Sequence, residues 1–189
     1  MRLFKTLTTA ALVSCFAVVV LSGAYLAYFY VPHSGPAVYD GPYEPLRGVV
    51  MSEAYASELR LSFDQPRGLY VRQVHHSSSW LFLLLLVVRL VAGVFRRLSA
   101  GAALLGAGAL AVVTGYALPD DLFSGTILAK VPLPVWYVAH MALAGALAAG
   151  LVMVWRRTSA EQPKLRYFAL AGLALFLLDV AQPFVPYGR

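Results

Sequence analysis

Arg72-Gln-Val-His75-His76-Ser-Ser-Ser-Trp80-Leu-Phe-Leu-Leu-Leu-Leu-Val-Val-Arg89-Leu-Val-Ala-Gly-Val-Phe95 is an apolar run with a polar, histidine-bearing head. Over residues 72–95 it approaches or exceeds the roughly 20 residues that an α-helix needs to cross a bilayer. A second run, 133–155, also carries its histidine near the start, in Trp136-Tyr-Val-Ala-His140. Outward from these two lie further apolar segments at 7–30, 99–117 and 165–182, the last being the shortest. With 60% hydrophobic residues, 13% charged residues and a mean hydropathy of +0.70, the chain reads as a lipid-embedded protein. Lipid offers the backbone no hydrogen-bond partners, and the alternation a barrel needs is absent, so the expected class is an all-α membrane protein.

Charges in the connections orient it. Arg2, Lys5, Arg96, Arg97, Arg156, Arg157, Lys164 and Arg166 fall on one side with Glu161 as their single acidic companion. The other side sets Arg47, Arg60, Arg67, Arg72, Lys130 and Arg189 against Asp40, Glu44, Glu53, Glu58, Asp64, Asp120 and Asp121. Basic residues accumulate on the cytoplasmic side, so the expectation is a multi-pass protein of the cell inner membrane with a cytoplasmic N-terminus. The pI of 9.6 then reports topology, and no nucleic-acid partner is implied. The opening Met-Arg-Leu-Phe-Lys imitates a secretory signal, and Leu12-Val-Ser-Cys15 a lipoprotein cleavage box. The apolar run continues to Tyr30, however, too long for a signal core, which favours an uncleaved first helix. A single cysteine excludes an internal disulfide and a cysteine-ligated cluster.

Residues 31–71 form the long polar segment, rich in Gly, Pro, Tyr and acids, and belong on the outer side. Within it Met51-Ser-Glu-Ala-Tyr-Ala-Ser-Glu-Leu suits a short interfacial helix. In the later outer loop, Pro119 fixes the exit from the third helix and Asp120 is placed to start a small helix. No internal repeat or low-complexity tract is present.

Chemistry is sought in what is unusual inside the membrane, namely His75, His140, Arg89 and Asp179. A lone membrane histidine is ordinarily an interhelical hydrogen-bonding residue. Two of them at similar depth, each a few residues inside the outer end of its helix, can instead clamp a heme iron from both sides. His76 points about 100° away from His75 on an ideal helix and is the weaker candidate, and His33 lies in the outer loop. A macrocycle needs room between helices that otherwise pack about 8–10 Å apart. Gly23 and Gly115 lie near the same outer level and supply it, although small-residue helix packing accounts for them as well. Arg72, three residues before His75, is placed to pair with a heme propionate or to snorkel to lipid phosphate.

Val38-Tyr-Asp-Gly-Pro-Tyr-Glu-Pro-Leu-Arg-Gly-Val, Met51-Ser-Glu-Ala-Tyr-Ala-Ser, Arg72-Gln-Val-His75-His76 and Thr114-Gly115-Tyr-Ala-Leu-Pro-Asp-Asp-Leu-Phe-Ser-Gly125 together resemble the N-terminal half of cytochrome b from quinol:cytochrome c oxidoreductases of actinobacterial type. The resemblance runs nearly end to end. It implies one membrane domain over residues 1–189, a four-helix heme bundle with a fifth transmembrane helix. In that family two stacked hemes are each ligated by one histidine from the second and one from the fourth helix, with glycine pairs on the first and third. Carried over residue by residue, the outer heme site is complete: His75 and His140 as iron ligands, with Gly23, Gly115 and Arg72.

The inner site departs from the pattern. Fourteen residues beyond His75, about 21 Å along a helix, stands Arg89, and the matching positions beyond His140 are Val154 and Trp155. Thr9 replaces the inner glycine of the first helix, while Gly101 is kept. One heme b is therefore expected, and a second is not. Arg89 either snorkels toward the cytoplasm or places a cation where the inner heme or quinone would sit. Asp179 reads as an interfacial carboxylate or a handler of a quinol proton. The family's Pro-Glu/Asp-Trp-Tyr quinol motif is not reached before Arg189, so quinol oxidation by this chain alone is not expected. Two functions follow: a single-heme electron-transfer subunit of a respiratory complex, not a complete enzyme alone, or a non-redox scaffold or assembly subunit derived from cytochrome b. Partners implied by the first are quinol, a separate C-terminal half of cytochrome b, an iron–sulfur protein or a c-type cytochrome.

Overall fold

The computed structural model describes residues 2–95, 98–118, 126–157 and 163–181. Six α-helices carry the fold: α1 (Arg2–Phe29), α2 (Glu53–Phe63), α3 (Gly68–Val91), α4 (Leu98–Tyr116), α5 (Leu133–Arg157) and α6 (Leu165–Ala181). Among the described residues α1, α3, α4 and α5 are each long and apolar enough to cross a membrane. With 17 residues, α6 sits at the short end of the spanning range. The chain is an all-α, multi-pass membrane protein.

The second apolar segment ends as a helix sooner than its hydropathy suggests. Gly93 adopts φ +63°, its N–H bonds Leu90 O and the N–H of Val94 bonds Arg89 O. This paired closure caps a helix through a left-handed residue that glycine adopts without penalty.

The polar segment between α1 and α3 is more ordered than its composition suggests. Strands β1 (Pro36–Val38) and β2 (Val50–Ser52) pair antiparallel with Ala37 opposite Met51. Ser52 then caps α2, its hydroxyl accepting from the Tyr55 N–H at 3.2 Å, so the helix runs from Glu53 to Phe63 instead of from Met51. Fully buried Tyr39 with Ala56 and Leu59 forms a small core that docks this unit on the ends of α1 and α3.

In the membrane part α1 packs on α3 and α4 on α5; α3 joins the two pairs through α4, and α6 lies against α1. The two ends of the bundle differ. From the middle toward the N-terminal end, Leu12, Cys15, Phe82, Leu86, Leu104, Leu147, Leu151 and Leu175 form a continuous apolar core. Toward the end that carries α2, helices α1, α3, α4 and α5 separate around a cavity of about 300 Å³.

The expectation that Arg89 snorkels to water is not met. Arg89 is 4% exposed, and its guanidinium donates to the hydroxyls of Thr9 at 2.7 Å and Thr8 at 3.0 Å. Phe95 lies 5.4 Å from the guanidinium carbon. Short residues at the helix start supply the acceptors, and bonding to them replaces the reach to solvent. Arg96 and Arg97, Pro119 to Gly125 including Asp120 and Asp121, Glu161 and Gln182 to Arg189 lie outside the described residues, as does the side chain of Asp179.

Candidate functional site

His75 enters the cavity from α3 and His140 from α5. Their ring centres are 6.3 Å apart, with the ring planes inclined by 66°. Each imidazole is fixed by the neighbouring helix in the same way. His75 Nδ1 lies 3.1 Å from the Val19 carbonyl oxygen and 3.1 Å from Ser22 Oγ, both on α1. His140 Nδ1 lies 2.8 Å from the Ala111 carbonyl oxygen and 3.3 Å from Thr114 Oγ1, both on α4. A carbonyl oxygen only accepts, so Nδ1 is the protonated nitrogen in both rings and the Nε2 lone pair is left for another partner.

Gly23 and Gly115 follow Ser22 and Thr114 directly, and a Cβ at either would stand 2.9 Å from Cε1 of His75 or His140. The room these glycines leave is thus taken up by the imidazoles themselves, in addition to whatever the cavity holds. Ser22 and Thr114 also bond back to their own helices, at 2.7 Å to Val18 O and 2.9 Å to Leu110 O. That back-bonding keeps each hydroxyl on the histidine side of its helix. The repeated dipeptide, hydroxyl residue then glycine, is the sequence signal for these two positions.

The five residues expected to form the outer site, His75, His140, Gly23, Gly115 and Arg72, all line this one cavity. His76 lines it too, with its ring edge-on to Tyr116 at 5.1 Å, whereas His33 is exposed in the segment before β1. At the α2 end Tyr30 stacks on Tyr137 at 5.9 Å and bonds the Leu118 carbonyl at 2.7 Å, narrowing the mouth. Arg72 pairs with Glu58 of α2, a carboxylate whose side chain is 8% exposed. Glu58 was counted only as an outer-side charge in the sequence; no local motif signals that α2 folds it into the cavity wall.

The distances meet a simple test. With metal–nitrogen bonds of about 2 Å and roughly 1 Å from each nitrogen to its ring centre, two imidazoles on opposite sides of one ion have centres about 6 Å apart. Among the described residues no group of three or more His, Cys, Asp or Glu converges as a metal-ligand set. An ion held by His75 and His140 alone would have to bring its remaining ligands with it. The lining is predominantly apolar, with Phe16, Leu26, Val112 and Leu147 among its walls, as expected of a site for a largely hydrophobic group.

At the level of Thr9, Arg89 and Gly101 the bundle is closed. A Cβ on Gly101 would fall 2.6 Å from the Phe95 ring and 2.8 Å from Leu90, and one on Gly150 2.7 Å from Leu104. Thr9 and Arg89, the two residues that depart from the family pattern on α1 and α3, are bonded to each other.

No family model matches the chain. It is similar to the cytochrome b subunit of the cytochrome bc1 complex of Streptomyces coelicolor, with 38% identity over 146 residues, covering 69% of this chain and 27% of that one. The subunit of the same name from Corynebacterium diphtheriae is 33% identical over 189 residues, 78% of this chain and 35% of the relative. That from Mycobacterium tuberculosis is 34% identical over 181 residues, 87% and 32%. The chain thus spans about a third of the length of these curated relatives. With the paired histidines, their glycines and the helix order already described, it is a member of the cytochrome b family of actinobacterial type, fitting the N-terminal part of that subunit.

Proposed function

We propose that the chain is a membrane b-type cytochrome that carries electrons through one bis-histidine heme b in the half of the bundle nearer α2, as part of a respiratory quinol-oxidising complex. The observation that carries this reading is the matched pair of histidines, each held by Nδ1 against a backbone carbonyl, on opposite walls of an apolar cavity. Metal-ligating histidines are typically held in this way, because the outer hydrogen bond sets the tautomer and raises ligand basicity. A heme b held there supplies a one-electron couple at its iron.

The residues divide the work. His75 and His140 would hold the heme iron; the Val19 and Ala111 carbonyls accept hydrogen bonds from their Nδ1–H groups; Gly23 and Gly115 give the rings space. Arg72 stands at the mouth as the cation for a propionate. The apolar walls exclude water, which favours a buried, low-dielectric iron site.

A second heme is not part of the proposal. Support comes from the inner half, where Leu86, Leu104 and Leu151 are packed in the core and the Arg89–Thr9 contact ties α1 to α3. The α2 end is proposed to face outward and the N-terminus the cytoplasm, in the cell inner membrane, following the charge distribution. Quinol, an iron–sulfur protein, a c-type cytochrome or a separate C-terminal half of cytochrome b are the proposed redox partners.

The test is heme per polypeptide by pyridine hemochrome on the detergent-purified chain, with reduced-minus-oxidised spectra. One reversibly reducible b heme is expected, lost in His75→Ala and in His140→Ala. A folded chain that takes up no heme would leave the scaffold reading, and two hemes per chain would overturn the assignment of the inner half.

A further inference from the structure

We infer that Glu58 sets the reduction potential of this site, as the carboxylate that shares the Arg72 guanidinium with the cofactor's own carboxylates. The inference rests on the heme reading given above. Among the described residues lining the cavity Glu58 is the one acid. It is carried there by α2, whose start is fixed by the Ser52 cap and whose inward face also buries Ala54, Ser57 and Leu61. Its side chain is 8% exposed against 33% for Arg72, and the two are in direct ionic contact.

Arg72 is thereby already engaged by the protein at the position where a propionate would claim it. A guanidinium has five donors in a planar fork and can serve two carboxylates at once. When it does, the anions at the mouth outnumber the cation. Reduction of ferric to ferrous iron removes one positive charge, so a fixed carboxylate on a low-dielectric wall favours the oxidised form. Glu58 acts on the iron only through this field and through Arg72, which makes it a positioning and tuning residue. On the far side of α2 the pair Arg60–Asp40, 3.7 Å apart with the aspartate exposed and the arginine partly so, is screened by solvent and offsets little of that field.

A purely structural role, fastening α2 to α3, makes a different prediction. Gln at position 58 keeps the size and a hydrogen bond to Arg72 while removing the charge. The experiment is an equilibrium redox titration of the heme-loaded full chain in detergent, for wild type, Glu58→Gln, Glu58→Asp and Arg72→Gln. At a fixed ambient potential, Glu58→Gln is expected to raise the reduced-to-oxidised ratio about tenfold, equivalent to ~59 mV for a one-electron couple. Glu58→Asp should stay near wild type, and Arg72→Gln should move in the opposite direction. A fully loaded Glu58→Gln protein with wild-type potential overturns the inference and leaves the heme reading intact. Should Gln empty the pocket, a loaded Arg72→Gln protein with unchanged or raised potential overturns it equally. A wild-type chain that binds no heme removes both.

Discussion

A methyl group at Gly23 or Gly115 would stand 2.9 Å from Cε1 of the facing histidine, closer than carbon atoms approach without repulsion. The imidazole cannot simply turn aside, since Nδ1 is tethered to Val19 O or Ala111 O. Gly23→Ala and Gly115→Ala are therefore expected each to lower heme affinity by about 10–100-fold, the range seen when the outer shell of a metal site is disturbed. Ser22→Ala should do less, because the backbone carbonyl remains as the Nδ1 acceptor. Heme titration of the four proteins, with helical content checked by circular dichroism, tests the order; a Ser22→Ala chain weaker than Gly23→Ala would show that the hydroxyl, and not the space, holds the ring. His75, His140, Gly23, Gly115 and Arg72 were all legible in the sequence as types and spacings. The repeated hydroxyl–glycine dipeptide at Ser22 and Thr114 was legible as a pattern but not its role, and Glu58 was not legible, because these roles depend on which helix each element packs against.

At the scale of elements, α1 and α3 are joined by side-chain hydrogen bonds at both ends, through His75 at the cavity end and through Arg89 near the N-terminal end. Arg89 donates to Thr8 and Thr9, and both hydroxyls also bond back to their own helix, Thr8 to Phe4 O at 2.9 Å and Thr9 to Lys5 O at 2.7 Å. The threonines thus keep partners if the guanidinium is removed, and the loss in Arg89→Ala is mainly the volume and the charged hydrogen bonds. That loss is expected to be about 2–4 kcal/mol. Arg89→Met fills the space without a buried charge and should fall within about 1 kcal/mol of wild type. Thermal unfolding in detergent distinguishes the two; equal destabilisation by Ala and Met would mean that the charge itself holds α1 to α3. Arg89→His should still yield one heme per chain, since Val154 and Trp155 on α5 offer no second ligand.

For the whole molecule, the sequence made the helices legible through hydropathy, and the four long ones begin and end within a few residues of their apolar runs except where Gly93 stops α3 early. The hairpin of β1 and β2 was hidden because three-residue strands carry no periodicity to read. His75, His140, Gly23, Gly115 and Arg72 lie around the cavity, whereas Thr9 and Arg89, with the kept Gly101, lie in the closed half of the bundle. This division has a dynamic consequence. In the heme-free chain the half near α2 has fewer packed partners for its helices than the inner half, so its backbone hydrogen bonds should open more readily. On the proposed function, a heme held by His75 and His140 would bind only the folded state and bridge α3 and α5, so it should stabilise that half selectively. Hydrogen exchange followed by mass spectrometry is expected to show slowed exchange on heme addition in segments around Ser22, His75, Thr114 and His140. Segments around Leu12, Leu86, Leu104 and Leu151 should change little. Uniform protection across all four helices would instead mean that the inner core is itself loose without heme, and that the Arg89 contact does not substitute for a second cofactor in holding the bundle closed.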